Sequence, residues 1–463
     1  MAPQDWNIDV DETGEMKMQG FPLSQIAEQF GTPVFVINEN LLIEKAREVL
    51  SSLRNIYPAR SEVHYPFKCN SVPVLISILR MEGLKAEVMT PFELFLAKKL
   101  GYKNNEIIAN GPCKTKDFLK ECLDLHFIVI DSLSELKDLT KITEAENKKV
   151  NILFRINPDY TPKGMNSGSA TGSRKGSVFG LDIRTNEVQQ ALQLIKNSSF
   201  IKFNGLHIHI GTGIRNPQDY FKAILSLKPL IKNIMDNGFK INVMDTGGGF
   251  SSPTTRELTT KELLLYNAFK IFPGEYKSSE IQLNNYISSI TNAVKIIFDG
   301  YNLPELIIEP GRYLTSQCEV LLIKVHRIKE RKGAGKWVIT DGGIGTLTMP
   351  TYYEYHEVFL CSNGAGNRTK KYTISGPCCF SEDVVYKNKS MPEIKENDLL
   401  AVMDCGAYFN QWESNFGFMK VPIVSINKGK CRLIRRRETA GDMIKRDLCN
   451  NYIEEVSNEI FNY

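Results

Sequence analysis

Short apolar runs alternate with helix-periodic stretches through the middle of the chain, the pattern of a parallel sheet covered by helices. β-rich runs fall at 63–67 (VHYPF), 85–88, 105–109 (NEIIA), 127–130 (FIVI), 150–156 (VNILFRI), 203–208, 240–245 (KINVMD) and 305–308 (ELII). Helical segments follow most of them, among others at 71–82, 91–100, 114–123 and 285–299. Eight such units predict an α/β fold, a (β/α)8 TIM barrel over 33–312 with its functional face at the strand C-termini.

Beyond Arg312 the texture changes. Runs at 319–327, 337–340, 371–375, 399–404 and 421–426 are β-rich, separated by Gly, Pro and Asn, and lack regular helices between them. They predict a second, all-β domain over 313–463, with residues 1–32, which fit neither pattern, packed on it. The loop 157–180 (NPDYTPKGMNSGSATGSRKGSVFG) is long and rich in Gly and Ser. Its place after the fifth strand suits a lid, and its composition suits a disordered surface insertion equally well.

Composition adds mainly exclusions. A chain of 463 residues is long for one core, in keeping with two domains. With 42% hydrophobic residues and a net charge of +4, it reads as an ordinary soluble protein with no call for a nucleic-acid partner. The N-terminus (MAPQDWNIDVDETGEM) is acidic without an apolar centre, and no apolar run reaches about 18 residues. Neither a signal peptide nor a membrane contact is expected, and the default compartment is the cytoplasm. The ten cysteines form no CxxC pair and no Cys/His spacing, so reduced thiols and no metal are expected. Cys378 and Cys379 would pair with each other only under strain, which leaves at least one free for chemistry.

The residues that end the expected strands are unusually polar. They include Lys68 (HYPFKCN), Glu87, Thr90, Asn110, Gly111, His209 (GLHIHIGTG), Asp245 with Gly247, Gly248 and Gly249 (DTGGGF), and Glu309 with Gly311 and Arg312 (EPGR). A lysine at the end of an apolar strand is partly desolvated, which lowers its pKa and suits imine formation; snorkelling out of the strand end is the plainer reading. Three glycines let backbone N–H groups approach a phosphate, and they also make a common flexible turn. EPGR reads as a structural turn with an ion pair, and His209 alone as a core histidine. Taken together, an amine, a ring, an anion nest and a carboxylate at separate strand ends match the aldehyde, ring, phosphate and pyridine nitrogen of pyridoxal 5′-phosphate (PLP).

From GTPVFVIN at 31–38 to GAYFNQW at 406–412, the chain resembles the PLP-dependent decarboxylases built on a barrel plus a β-domain, the group that contains diaminopimelate decarboxylase and the eukaryotic-type ornithine decarboxylase. The resemblance implies that Lys68 carries the cofactor as an imine, that His209 stacks on its ring, and that Glu309 pairs with the pyridine nitrogen. It places Glu87 beside the cofactor and the phosphate on Thr212, Gly247, Gly248, Gly249, the Gly311–Arg312 turn and Tyr408. GPCCFSED at 376–383 resembles the segment whose thiol returns a proton from the partner subunit; Cys379 is the match, and a homodimer with shared sites is implied.

Two positions depart from the pattern. Where diaminopimelate decarboxylases read R-P-x-x-Y and C-E-S-G-D, this chain has Met349-Pro350-Thr351-Tyr352-Tyr353 and Cys379-Phe380-Ser381-Glu382-Asp383. Methionine cannot supply a bidentate grip on a distal carboxylate. Arg312 and Tyr353 remain for polar contacts, and Glu354 reads either as an acid for a distal amine or as a solvated loop residue. The expected reaction is therefore decarboxylation of an amino acid or an amino-acid-derived intermediate of siderophore, antibiotic or carrier-bound type, rather than meso-diaminopimelate. Diaminopimelate decarboxylation, racemisation and an inactive regulatory homologue are the alternatives. Glu309 speaks against the racemase, which pairs the pyridine nitrogen with arginine.

Overall fold

The computed structural model describes residues 1–163, 165, 170–196, 198–269, 282–347 and 354–447. Parallel strands close on themselves in the order Val150–Asn157, Ile201–His207, Val243–Asp245, Glu305–Ile308, Ser61–Pro66, Lys85–Val88, Ile107–Ala109 and Phe127–Ile130, and the last pairs back to the first. This is a TIM barrel, as expected. The largest trims are at 105–109, where Asn104–Glu106 turn as a 3-10 segment, and at 240–245, of which only Val243–Asp245 is strand.

Alternation along the strands decides what fills the barrel. Ile108, Phe127, Val129, Leu153, Val243 and Ile307 form a separate apolar cluster of buried residues. Two residues on, toward the C-terminal mouth, the same alternation delivers Asn110, Asp131, Arg155, Asp245 and Glu309, all buried. A polar storey thus sits on an apolar floor. Thr90 is not part of it: its hydroxyl caps the helix Pro91–Lys99, accepting from the Glu93 N–H at 3.1 Å.

The second sheet is built on Glu319–Arg331, which pairs antiparallel with Gly335–Thr340, with Leu399–Val402 and with Val34–Asn38. Val34–Asn38 also lies parallel to Ile423–Asn427. The barrel boundary at residue 33 is therefore corrected: this strand is in the β-domain. It is buried at every position, and the helix Glu39–Ile56 that follows it imitates a βα unit in the sequence. Residues 1–32 contribute Trp6, Ile8, Met16, Met18, Leu23 and Ile26 to one apolar cluster with Val34, Val36, Val320 and Val424. No described helix is long and apolar enough to cross a membrane.

Candidate active site

The polar storey opens into a cavity of about 490 Å³ at the strand C-termini, the size of a cofactor with a small substrate. Lys68, Glu87, His209, Thr212, Arg312 and Tyr408 all line it. Lys68 lies two residues beyond the barrel strand Ser61–Pro66, and its Nζ lies 3.7 Å from Glu87 Oε2. Burial pulls the amine down, as expected from the sequence, but Glu87 and Glu309 outweigh it and raise Lys68 above its usual value. Burial likewise raises Glu87, to about 7, against the pull of Lys68. Near neutral pH Lys68 is thus a cation beside a carboxyl that is only partly ionised.

His209 is held well below the usual imidazole range by burial, with Lys68 and Arg155 adding to it. Its ring is accordingly neutral, and Nδ1 accepts the Gly248 N–H at 3.2 Å. The glycine run is a close-approach device rather than a loose turn: a Cβ on Gly248 would meet the Glu309 carbonyl, and one on Gly249 the Gly211 carbonyl. Tyr408 has φ of +72°, a strained setting for a tyrosine, and its N–H donates to the Cys69 carbonyl at 2.7 Å. That contact ties the β-domain to the Lys68 loop.

Glu309 is buried, with Oε2 facing His207 Nε2 at 3.5 Å and Oε1 without a partner. A buried unpartnered carboxylate oxygen above a glycine cradle fits a flat cofactor with a protonated ring nitrogen and a phosphate.

Arg312 and Glu354 bring a correction. Glu354 is not a solvated loop residue: it is 1% exposed, and Arg312 donates to it through both terminal nitrogens, at 2.9 and 2.7 Å. Burial opposes its ionisation, but Arg312 and His356 overcome this and hold Glu354 at about 2. Both terminal nitrogens of the guanidinium expected to be available are thus already engaged, and only the buried Nε lacks a hydrogen-bond partner. Cys379 and Phe380 are exposed and do not line the cavity of their own chain; Phe380 leans on Phe416, ring centroids 6.2 Å apart. Met349 and Tyr353 lie outside the described residues.

Sequence reasoning missed Arg155, which lines the cavity 3.6 Å from Asp131, and Phe179, whose ring lies 4.2 Å from the Arg155 guanidinium. An arginine inside the apolar run VNILFRI was the available signal. Thr171 of the 157–180 loop donates to the His209 carbonyl at 2.9 Å, and Tyr160 to Asp219 at 2.7 Å. The described part of that loop is a wall of the cavity, not a disordered insertion. Met89, Asn110, Gly111, Pro112 and Trp412 complete the lining.

A barrel with this mouth, joined to a β-sheet domain, defines a class of enzyme. Residues 42–316 match the family model of the pyridoxal-dependent decarboxylases, pyridoxal binding domain, and the chain belongs to that family of PLP-dependent carboxy-lyases. It is 29% identical over 447 residues to the diaminopimelate decarboxylase of Methanothermobacter thermautotrophicus, covering 95% of this chain and 97% of that protein. To the diaminopimelate decarboxylase of Methanocaldococcus jannaschii it is 27% identical over 443 residues, 94% of this chain and 95% of that one. The crystal structure of the M. jannaschii enzyme in co-complex with L-lysine superposes with a TM-score of 0.85 at 26% identity, covering 98% of this chain and 100% of that chain.

Proposed function

We propose that this chain decarboxylates an amino acid or amino-acid-derived biosynthetic intermediate, of siderophore, antibiotic or carrier-bound type, whose far end bears no free carboxylate. The Arg312–Glu354 pair carries this reading. Both terminal nitrogens of the arginine bond a carboxylate of the chain itself, and the pair is net neutral. Displacing Glu354 would strand a buried charge, a cost on the order of 3–5 kcal/mol. Phe380, standing where an acid would in diaminopimelate decarboxylases, removes a second polar contact. The names of the relatives, which match along nearly the whole chain, support the alternative that the substrate is meso-diaminopimelate.

In this reading Lys68 holds the cofactor with Glu87 beside it as proton partner, His209 covers the ring face, and Glu309 meets the ring nitrogen through its unpartnered Oε1. Thr212, Gly247, Gly248, Gly249, the Gly311–Arg312 turn and Tyr408 surround the phosphate. PLP supplies the electron sink for the bond pair left when CO₂ departs. The neutral His209 ring and the cavity walls keep water from the reacting carbon. Cys379 of a second copy delivers the proton in a cytoplasmic homodimer, a role supported by its exposure outside its own chain's cavity.

A panel of meso-diaminopimelate, lysine, ornithine, carboxylated siderophore precursors and carrier-bound aminoacyl groups, scored by mass for loss of CO₂, tests the substrate. A compound without a far carboxylate is expected to exceed meso-diaminopimelate in kcat/KM by about tenfold or more. Glu354→Gln, which removes the negative charge paired with Arg312 and leaves the guanidinium a net cation, is expected to raise kcat/KM for meso-diaminopimelate by about tenfold. Best turnover of meso-diaminopimelate by the wild-type chain overturns the substrate reading. For the shared site, mixed and re-associated Lys68→Ala and Cys379→Ala chains, each inactive alone, are expected to recover about a quarter of the wild-type activity, because half of the dimers then hold one intact site. No recovery sinks it.

A further inference from the structure

Glu309 does not stand alone. His207 ends the barrel strand Ile201–His207, Asp245 ends Val243–Asp245, and Glu309 follows Glu305–Ile308; the ladder pairs His207 with Asp245, and Asp245 with Ile307 two residues before Glu309. A ring nitrogen of His207 and one carboxyl oxygen each of Asp245 and Glu309 lie within 4.8 Å of one another. His207 and Asp245 are fully buried, and Glu309 is 3% exposed. Asp245 spends Oδ1 on the N–H of Gly247, the first glycine of the cradle, at 2.9 Å. Its Oδ2 is buried without a hydrogen-bond partner, as is Glu309 Oε1. The remaining Glu309 oxygen faces His207 Nε2, which also contacts Asn110 Nδ2 at 3.2 Å.

Two carboxyl groups this close in a dry interior do not both ionise. The two cations nearby are each already faced by a carboxyl group of their own, Lys68 by Glu87 at 3.7 Å and Arg155 by Asp131 at 3.6 Å, so neither is free to offset a second full charge on the pair. One negative charge is tolerable in the space between them and two are not.

We propose that Asp245 is a positioning residue for Glu309: it keeps the single proton of the pair, anchors Gly247 through Oδ1, and presents its O–H toward Glu309, so that one full negative charge stays on Glu309 for the ring nitrogen. Burial and the neighbouring Glu309 drive Asp245 well above the usual carboxylate range. Burial opposes ionisation of Glu309 too, but His207 and Lys68 hold it at about 2. Asp245 thereby joins the two ends of the cofactor seat, the glycine cradle and the ring-nitrogen partner, through one side chain. The inference rests on the reading that Glu309 meets the ring nitrogen.

The test compares Asp245→Ala, Asp245→Asn and Glu309→Gln in the full chain, reading the Kd for PLP by absorbance titration, the pH midpoint of the bound cofactor's visible band, and kcat. Asp245→Ala is expected to raise the Kd by at least about tenfold and to move the pH midpoint. Asparagine offers the same acceptor to Gly247 and the same donor toward Glu309 as a protonated aspartate, and is expected to restore Kd and kcat to within about threefold of wild type. An asparagine variant no better than alanine means that Asp245 works as an anion, and overturns the proposal. An alanine variant that behaves as wild type overturns it too. Should the alanine variant fail to fold, the asparagine variant decides alone, with a loss beyond about tenfold as the overturning result. A Glu309→Gln chain with unaltered band and kcat would sink the Glu309 reading instead, so the two failures are distinct.

Discussion

Replacing Lys68 by alanine is expected to lower kcat for CO₂ release by at least about 10³-fold, the scale on which removing a covalent group acts. The side chain is 34% exposed, so its loss opens no core cavity and the fold is expected to persist. What disappears is the amine proposed to carry the cofactor, together with the cation beside Glu87. With Lys68 gone, the pull that opposes burial at Glu87 is also gone, and this carboxyl is expected to stay protonated at neutral pH. Borohydride treatment of PLP-loaded wild-type chain followed by peptide mapping should leave a pyridoxyl tag at position 68, and none in the variant. A tag on a different lysine, or wild-type turnover by the alanine chain, would remove Lys68 from the chemistry.

Glu309→Gln is expected to cost about 10² to 10³ in kcat, the range found when one preorganised electrostatic partner is removed. The substitution keeps the shape and hydrogen-bonding reach of the side chain and deletes its charge. A neutral amide cannot hold a proton on the ring nitrogen, so the bond pair left by CO₂ has a weaker sink. Because Glu309 sits at about 2, its charge is fully present from pH 5 to 8, and no acid limb of the wild-type rate profile in that window should trace to it. Single-turnover measurement of CO₂ release separates this loss from weaker binding; a fall confined to KM would contradict the role.

Much of this organisation is legible in the residues. Side chains alternate with period two along each strand, and Asn110, Asp245 and Glu309 stand at strand ends because the inward-facing positions turn from apolar to polar at the mouth of the barrel. The barrel range beginning at 33 takes in the strand Val34–Asn38 for a physical reason: a fully buried, mostly apolar strand followed by a helix looks the same whether it opens a barrel or lies at the centre of a mixed sheet. Arg155 was hidden by its surroundings, since a charge inside an apolar run shows its direction only once the barrel has closed.

The sequence by itself determined the class of fold, the order of the strand-end groups and the cofactor they suit, because alternation and turn chemistry act between near neighbours along the chain. Tertiary structure alone decided which charges meet. Arg312 and Glu354 are 42 residues apart, and Asp245 and Glu309 come from neighbouring strands with a long connection between them. Electrostatic energy depends on distances and on exclusion of water, and neither exists until the chain has folded. Whether Arg312 is free to bind an anion, and whether Lys68 sits above or below its ordinary pKa, are therefore properties of the assembled site.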